Sequence, residues 1–286
     1  MLACVRRLND MGALCTVDLL GENIQHLAEA QEALQLYQQV LEVLNQSSIA
    51  QPGCQSADLR ANISIKLTQL GLLHDADTCA ALLHQLLAKA AAAGNFVRLD
   101  MEDSRCTTPT LEQYLRARQH FDNVGIVIQA YLRRSRADVL RILEAGAGHV
   151  RLCKGIYRES RTLAYPDPYV INQNYAYLLE TLMEAGAYAA IATHDEKLVW
   201  EAERLISKYN RAPEQYEFQL LLGVDPALRQ LLQDAGHRVR VYVPFGVHWH
   251  AYCMRRFREN PRLMHFVFQN LRRDPTVTTD ASRRAI

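Results

Sequence analysis

Polar side chains gather at the C-terminal ends of a series of apolar runs: Asp18 and Glu22; Lys66 and Thr68; Asp100, Glu102 and Asp103; Gln129 and Tyr131; Arg151, Lys154 and Tyr157; Thr193, His194 and Asp195; Gln219; Tyr242. Burying such groups costs free energy unless each is paired, so any one of them alone reads equally well as a polar cap. Taken together they read as a binding mouth, because Lys66, Arg151 and Lys154 set three cations where an anion would sit. A second group follows the last run, in "GVHWHAYCMRRFREN", residues 246–260. There Tyr252, Arg255, Arg256 and Glu259 fall at i, i+3, i+4 and i+7, one face of a helix. Two guanidiniums on one face repel unless an anion or Glu259 offsets them, and the guanidinium fork holds a carboxylate in two parallel hydrogen bonds. With Lys66 they make a carboxylate clamp; the competing reading is a solvated helix end with an internal Glu259–Arg pair.

Eight elements must position these groups. The runs are "ALCTVDLL" (13–20), "ANISIKL" (61–67), "FVRLDME" (96–102), "GIVIQAY" (125–131), "HVRLCKG" (149–155), "AAIATH" (189–194), "YEFQLLL" (216–222) and "RVRVYVPFG" (238–246). Between them lie segments with apolar residues at three- and four-residue spacing, such as "LAEAQEALQLYQQVLEVL" and "DADTCAALLHQLLAKAAAAG", which predict helices. Strands alternating with helices imply parallel βαβ units. The expected fold is therefore α/β, a (β/α)8 TIM-like barrel in a single domain over residues 1–273, with an open doubly wound sheet as the alternative. The tail, 274–286, lacks periodicity and is expected to be disordered.

Composition narrows the function. A formal net charge of +1 with acids and bases interspersed gives no field for nucleic acid or an anionic bilayer. The seven cysteines are scattered without a CxxC pair, which suits a reducing, cytoplasmic setting and argues against a disulfide framework or a zinc site. The start "MLACVRRLND" meets charge too early for a signal peptide, and no apolar run approaches the roughly 18 residues of a membrane span. The "GAG" at 146–148 precedes a strand, so it is no dinucleotide phosphate loop. The alternate histidines of "HWH" (248–250) lack Cys, Asp or Glu at ligand spacing, and no metal is expected. Lys66 or Lys154 could instead form a Schiff base, as in aldolase barrels.

The chain resembles the bacterial monofunctional FAD-dependent proline dehydrogenase family. The resemblance runs in order through "TVDLLGE", "ISIKLTQLGL", "VRLDMEDS", "NVGIVIQAYLRRS", "VRLCKGIYRES", "ATHD", "YEFQLLLG" and "VYVPFGVHWHAYCMRR". It implies a distorted (β/α)8 barrel with FAD at the mouth, and oxidation of L-proline to Δ1-pyrroline-5-carboxylate by hydride transfer to flavin N5, the first step of proline catabolism. Lys66, Arg255 and Arg256 would hold the substrate carboxylate, with Tyr242, Leu221 and Tyr252 around the ring. Arg151 would lie at the N5 edge, and Asp100 would act catalytically by orienting Lys66 and neighbouring cations. Met101, Gln129, Lys154, Gly155, Ile156, Thr193 and His194 would contact FAD, Lys154 at the pyrophosphate. Glu22 would pair with Arg151 and gate the site.

The resemblance further implies a membrane quinone as electron acceptor, hence peripheral contact with the inner membrane, and a separate pyrroline-5-carboxylate dehydrogenase downstream. Only about a dozen residues precede the first strand, fewer than the family usually carries, so the barrel floor or a flank of the site is expected to be less covered. Hydroxyproline oxidation is the neighbouring alternative, disfavoured because Tyr242 would crowd a ring hydroxyl. A lysine-dependent aldolase is the alternative from another enzyme class.

Overall fold

The computed structural model describes residues 1–21, 23–46, 61–146 and 148–246. Its strands are β1 (Leu14–Leu19), β2 (Asn62–Ile65), β3 (Val97–Leu99), β4 (Val124–Gln129), β5 (His149–Cys153), β6 (Tyr188–Ala192), β7 (Tyr216–Leu221) and β8 (Val239–Phe245). Each of the eight apolar runs holds one. They pair in parallel in chain order and close into a barrel, β1 meeting β8 from Leu14↔Arg240 to Leu19↔Phe245. The open doubly wound sheet is thereby excluded.

The helices are α1 (Leu2–Asp10), α2 (Leu27–Gln46), α3 (Ala76–Ala92), α4 (Ser104–Arg118), α5 (Ser135–Glu144), α6 (Pro168–Glu184), α7 (Glu196–Lys208) and α8 (Pro226–Asp234). Period-two alternation divides each strand. Val17, Ile63, Ile65, Val97, Leu99, Ile126, Val150, Leu152, Ile191, Phe218, Val241 and Val243 are buried in the apolar core shared with the helices. On the opposite face of the strands, Thr16, Asp18, Asn62, Ser64, Arg98, Gln129, Arg151, Glu217, Gln219, Arg240 and Tyr242 turn to the barrel axis. α1 packs Val5 and Leu8 into this core, and Gln233 Nε2 of α8 donates to Met11 O at 2.8 Å just beyond its end.

The barrel interior departs from the branched apolar filling usual for this architecture. Arg98, Glu217 and Arg240 are each 2% exposed, and Arg240 Nε donates to both oxygens of Glu217 at 2.9 Å. His149 stacks between Phe96 and Tyr188, with ring centroids 4.3 and 4.2 Å away, and meets Arg98 Nη2 through Nδ1 at 2.9 Å. Burial and then the Arg98 charge hold the His149 imidazole well below its ordinary range, so the ring is neutral. These residues fill the floor of the barrel from within. Gly125 makes room for them: a Cβ there would lie 2.2 Å from Arg98 Nη1 and 2.8 Å from His149 O.

Candidate active site

Two of the strand-end acids are helix caps. The Asp103 side chain accepts from Arg105 N at the start of α4, and that of Asp195 accepts from Lys197 N at the start of α7; both satisfy amides a helix start leaves unpaired. Asp195 also takes a 2.6 Å hydrogen bond from Lys154 Nζ and one of 3.0 Å from Asn172 Nδ2. The segment after β5 that carries Lys154, Gly155 and Ile156 is pinned on both sides. Glu159 accepts from Ser104 N and Oγ at 2.7 and 2.8 Å. Tyr165 N donates to Tyr131 O, and Arg133 N to Leu163 O. Gly155 sits at φ +103° with Tyr131 so close that a Cβ would fall 2.0 Å from its ring, a backbone and a space open to glycine.

Above the floor, four strands send side chains across the axis. Arg151 of β5 donates from Nη1 to Asp100 Oδ1 at 2.6 Å and to Ser64 Oγ at 3.1 Å, and from Nε to Gln219 Oε1 of β7. Gln219 in turn donates to Glu217, which joins the mouth to the Arg240–Glu217 pair of the floor. Asp100 also accepts from Ser64 Oγ at 2.6 Å and, on Oδ2, from Tyr242 OH at 2.9 Å. Burial would raise the Asp100 carboxyl, but Arg151, Lys66 and these hydroxyls together hold it below its ordinary value.

Lys66, just past β2, is closest to a different acid. Its Nζ lies 2.8 Å from Asp18 Oδ1 and 3.9 Å from Asp100 Oδ2. Asp100 thus lies beside both Lys66 and the neighbouring cation Arg151, with its shorter contact to Arg151. Burial raises the Asp18 carboxyl, and Lys66 offsets only part of that. The three cations that suggested an anion site are therefore each matched: Lys66 by Asp18, Arg151 by Asp100 and Lys154 by Asp195.

Several buried polar atoms here have no hydrogen-bond partner among the described residues: Arg151 Nη2, Gln129 Oε1, His194 Nδ1, Tyr131 OH and Asp18 Oδ2. His194 is informative because its Nε2 accepts from Leu221 N at 3.0 Å. The proton is then on Nδ1, and burial holds the ring's pKa down to about 4, so His194 presents a neutral donor. Buried donors and acceptors without partners call for a physical account, and a polar ligand at the mouth would supply one.

The structure brings together Lys66, Asp100, Met101, Gln129, Arg151, Lys154, Gly155, Ile156, Thr193, His194, Leu221 and Tyr242 from the ends of β2 to β8. Glu22, Tyr252, Arg255 and Arg256 lie outside the described residues, as do "HWH" and the tail 274–286. Asp18 and Gln219, expected at the mouth without an individual role, belong to the cluster, as does Ser64, which was not expected there. Strand alternation was the available signal: it turns Thr16 and Asp18, Asn62 and Ser64, and Glu217 and Gln219 to the axis. Among the described residues, no group of three or more His, Cys, Asp and Glu is placed to hold a metal, and no helix is long and apolar enough to cross a membrane.

A closed parallel (β/α)8 barrel with a charged interior and leftover polar atoms at its C-terminal mouth defines an enzyme of the TIM-barrel class, whose chemistry sits at that end. The model of the proline dehydrogenase family matches residues 1–269. The chain belongs to that family. It is 33% identical over 267 residues to proline dehydrogenase 1 of Bacillus subtilis (strain 168), covering 93% of this chain and 85% of that one. To the proline dehydrogenase of Deinococcus radiodurans it is 35% identical over 272 residues, covering 93% and 84%. Among solved structures it is similar to proline utilization A from Bdellovibrio bacteriovorus, with a TM-score of 0.83 and 26% identity over 91% of this chain. It spans 31% of that longer protein.

Proposed function

We propose that this enzyme oxidises L-proline to Δ1-pyrroline-5-carboxylate, using FAD bound at the barrel mouth. The observation that carries the reading is the interlocked set Asp18–Lys66–Asp100–Arg151, with Tyr242 and Gln219, at the C-terminal ends of the strands. A large polar cofactor fits the residues present: Arg151 Nη2, His194 Nδ1 and Tyr131 OH offer donors and Gln129 Oε1 an acceptor, while Gly155 leaves the backbone bare beside Tyr131. Bound there, FAD supplies the hydride acceptor. Arg151 would lie at its N5 edge, Lys154 would turn from Asp195 to the pyrophosphate, and Met101, Gln129, Gly155, Ile156, Thr193 and His194 would complete the contacts.

Lys66, with Arg255 and Arg256, holds the substrate carboxylate, and Leu221, Tyr242 and Tyr252 pack around the ring. That placement fixes the donor carbon and converts binding into orientation. As the C–H bond next to nitrogen breaks, with both its electrons leaving as hydride, the C=N bond forms, so the nitrogen must first shed its ammonium proton. Asp100 is a poor recipient, because both its oxygens already accept hydrogen bonds and its charged form is favoured; the proton goes to water. Glu22 would pair with Arg151 and close the site. Electrons then pass to a membrane quinone, and the product to a separate dehydrogenase.

Two alternatives are weaker. A Schiff base needs a lysine lone pair, and both candidates are instead donating to carboxylates, Lys66 to Asp18 and Lys154 to Asp195. Hydroxyproline would need space beside Tyr242, whose hydroxyl is committed to Asp100. Steady-state oxidation of L-proline with a quinone acceptor tests the assignment. Lys66→Met should raise the proline KM roughly ten- to a hundred-fold, the loss of a charge-assisted contact, while FAD remains bound. Wild-type kinetics in that variant, or a faster turnover of hydroxyproline than of proline, would refute it.

A further inference from the structure

We propose that Asp18 is the positioning residue that holds Lys66 for substrate binding, so that the two buried carboxylates of the mouth divide its work. Asp18 serves the carboxylate end of the substrate through Lys66, and Asp100 serves the hydride-acceptor end through Arg151. The proposal rests on the reading of Lys66 as a substrate anchor.

Asp18 is fully buried. Its backbone is fixed on both sides by the barrel, paired with Ser64 of β2 and Pro244 of β8. A side chain on a strand clamped between two neighbours has little freedom to follow a moving partner, which suits an anchor. Asp18 Oδ1 accepts from Lys66 Nζ at 2.8 Å, whereas Asp100 Oδ2 at 3.9 Å contributes charge without a directed bond.

Asp100 is moreover largely committed elsewhere. Oδ1 takes Arg151 Nη1 and Ser64 Oγ, and Oδ2 takes Tyr242 OH. Asp18, with its carboxyl driven up by burial and partly restored by Lys66, has the Tyr242 hydroxyl as a second neighbour. An ammonium on a four-carbon stem carries three donors that rotate together. Fixing one of them on Asp18 restricts where the ammonium can point, and so orients its charge for the carboxylate of an arriving amino acid. With Asp18 neutral, Lys66 keeps a charge nearby but its hydrogen bond to position 18 loses the charge that strengthens and fixes it.

The test uses the FAD-loaded enzyme, with two ligands titrated anaerobically by flavin absorbance. One is L-proline. The other is cyclopentanecarboxylate, which has the ring and the carboxylate but no nitrogen to oxidise. Asp18→Asn keeps the shape and removes the charge. It should weaken both ligands roughly ten-fold or more, a larger loss than it causes in the limiting rate of flavin reduction. In a Lys66→Met background the same substitution should cost no further affinity, because a residue acting only through Lys66 has nothing left to position.

Wild-type affinity in Asp18→Asn would overturn the proposal, as would an equal loss in both backgrounds. If Asp18→Asn alone does not fold, the comparison of Lys66→Met with Lys66→Met/Asp18→Asn decides, since there the buried pair is replaced by neutral groups together. Equal affinities in those two support the proposal; a further loss contradicts it. Failure of the underlying reading looks different: Lys66→Met would then bind both ligands as tightly as the wild type.

Discussion

Arg151 is the residue with most to gain from its neighbours, because three acceptors grip it: Ser64 of β2, Gln219 of β7 and Asp100 just past β3. Nε and Nη1 are committed, and the orientation of Nη2 follows from the planarity of the guanidinium. Gln219 therefore acts at one remove from the chemistry. Gln219→Met should slow flavin reduction by proline roughly ten-fold and shift the visible flavin spectrum, since a loosened cation at the mouth changes the field there. Stopped-flow traces and absorbance at equal cofactor loading check this; an unaltered spectrum and rate would mean that Asp100 and Ser64 alone hold Arg151. In the sequence, Arg151, Asp100 and Lys66 stood out as charges at strand ends. Which acid served which cation did not, because that depends on the path of each side chain: register sets Lys66 level with Asp100 and pairs Asp18 with Ser64, yet Lys66 Nζ lies nearer Asp18, and no spacing along the chain encodes it.

At the scale of elements, the segment after β5 shows how a loop is made rigid enough to present Lys154, Gly155 and Ile156. It is tied to the start of α4 through Glu159, to the turn after β4 through Tyr165 and Leu163, and to α7 through Lys154 and Asp195. Gly155 is the most constrained point. Gly155→Ala meets both an unfavourable φ of +103° and the Tyr131 ring, so it should cost at least about 1 kcal/mol and impair FAD retention. Thermal melting with and without added FAD reads both effects; a variant with the wild-type melting temperature and cofactor content would contradict the close approach. The eight strands were legible from apolar runs bounded by helical periodicity. Their ends were less so: β3 is only Val97–Leu99, shorter than its run, because Asp100 and the residues beyond it turn into the site.

For the whole molecule, neutral buried histidines predict acid sensitivity. His194 has a folded pKa of about 4 against an ordinary 6.5, chiefly from burial. Between those values the unfolded chain binds a proton that the folded chain does not, so stability is full above 6.5 and falls as pH drops toward 4. His149 acts with the same sign. Asp100 and Glu217, held below their ordinary values, extend the loss to lower pH, whereas the raised Asp18 carboxyl opposes it, being stabilising only where it is protonated. The melting temperature should decline from about pH 6.5 downward; a flat profile to about pH 4.5 would contradict the neutral histidines.

The barrel architecture followed from strand count and order. The charged floor of Arg98, Glu217, Arg240 and His149 did not, because in a sequence an inward charge at the start of a strand looks the same as a solvent-facing one. The central claim concerns what the mouth does, and it is tested most directly by the anaerobic visible spectrum of the purified, FAD-loaded protein before and after L-proline, with trans-4-hydroxy-L-proline alongside. The account predicts that proline bleaches the oxidised flavin band and that hydroxyproline does so far more slowly. A flavin band untouched by proline would contradict it.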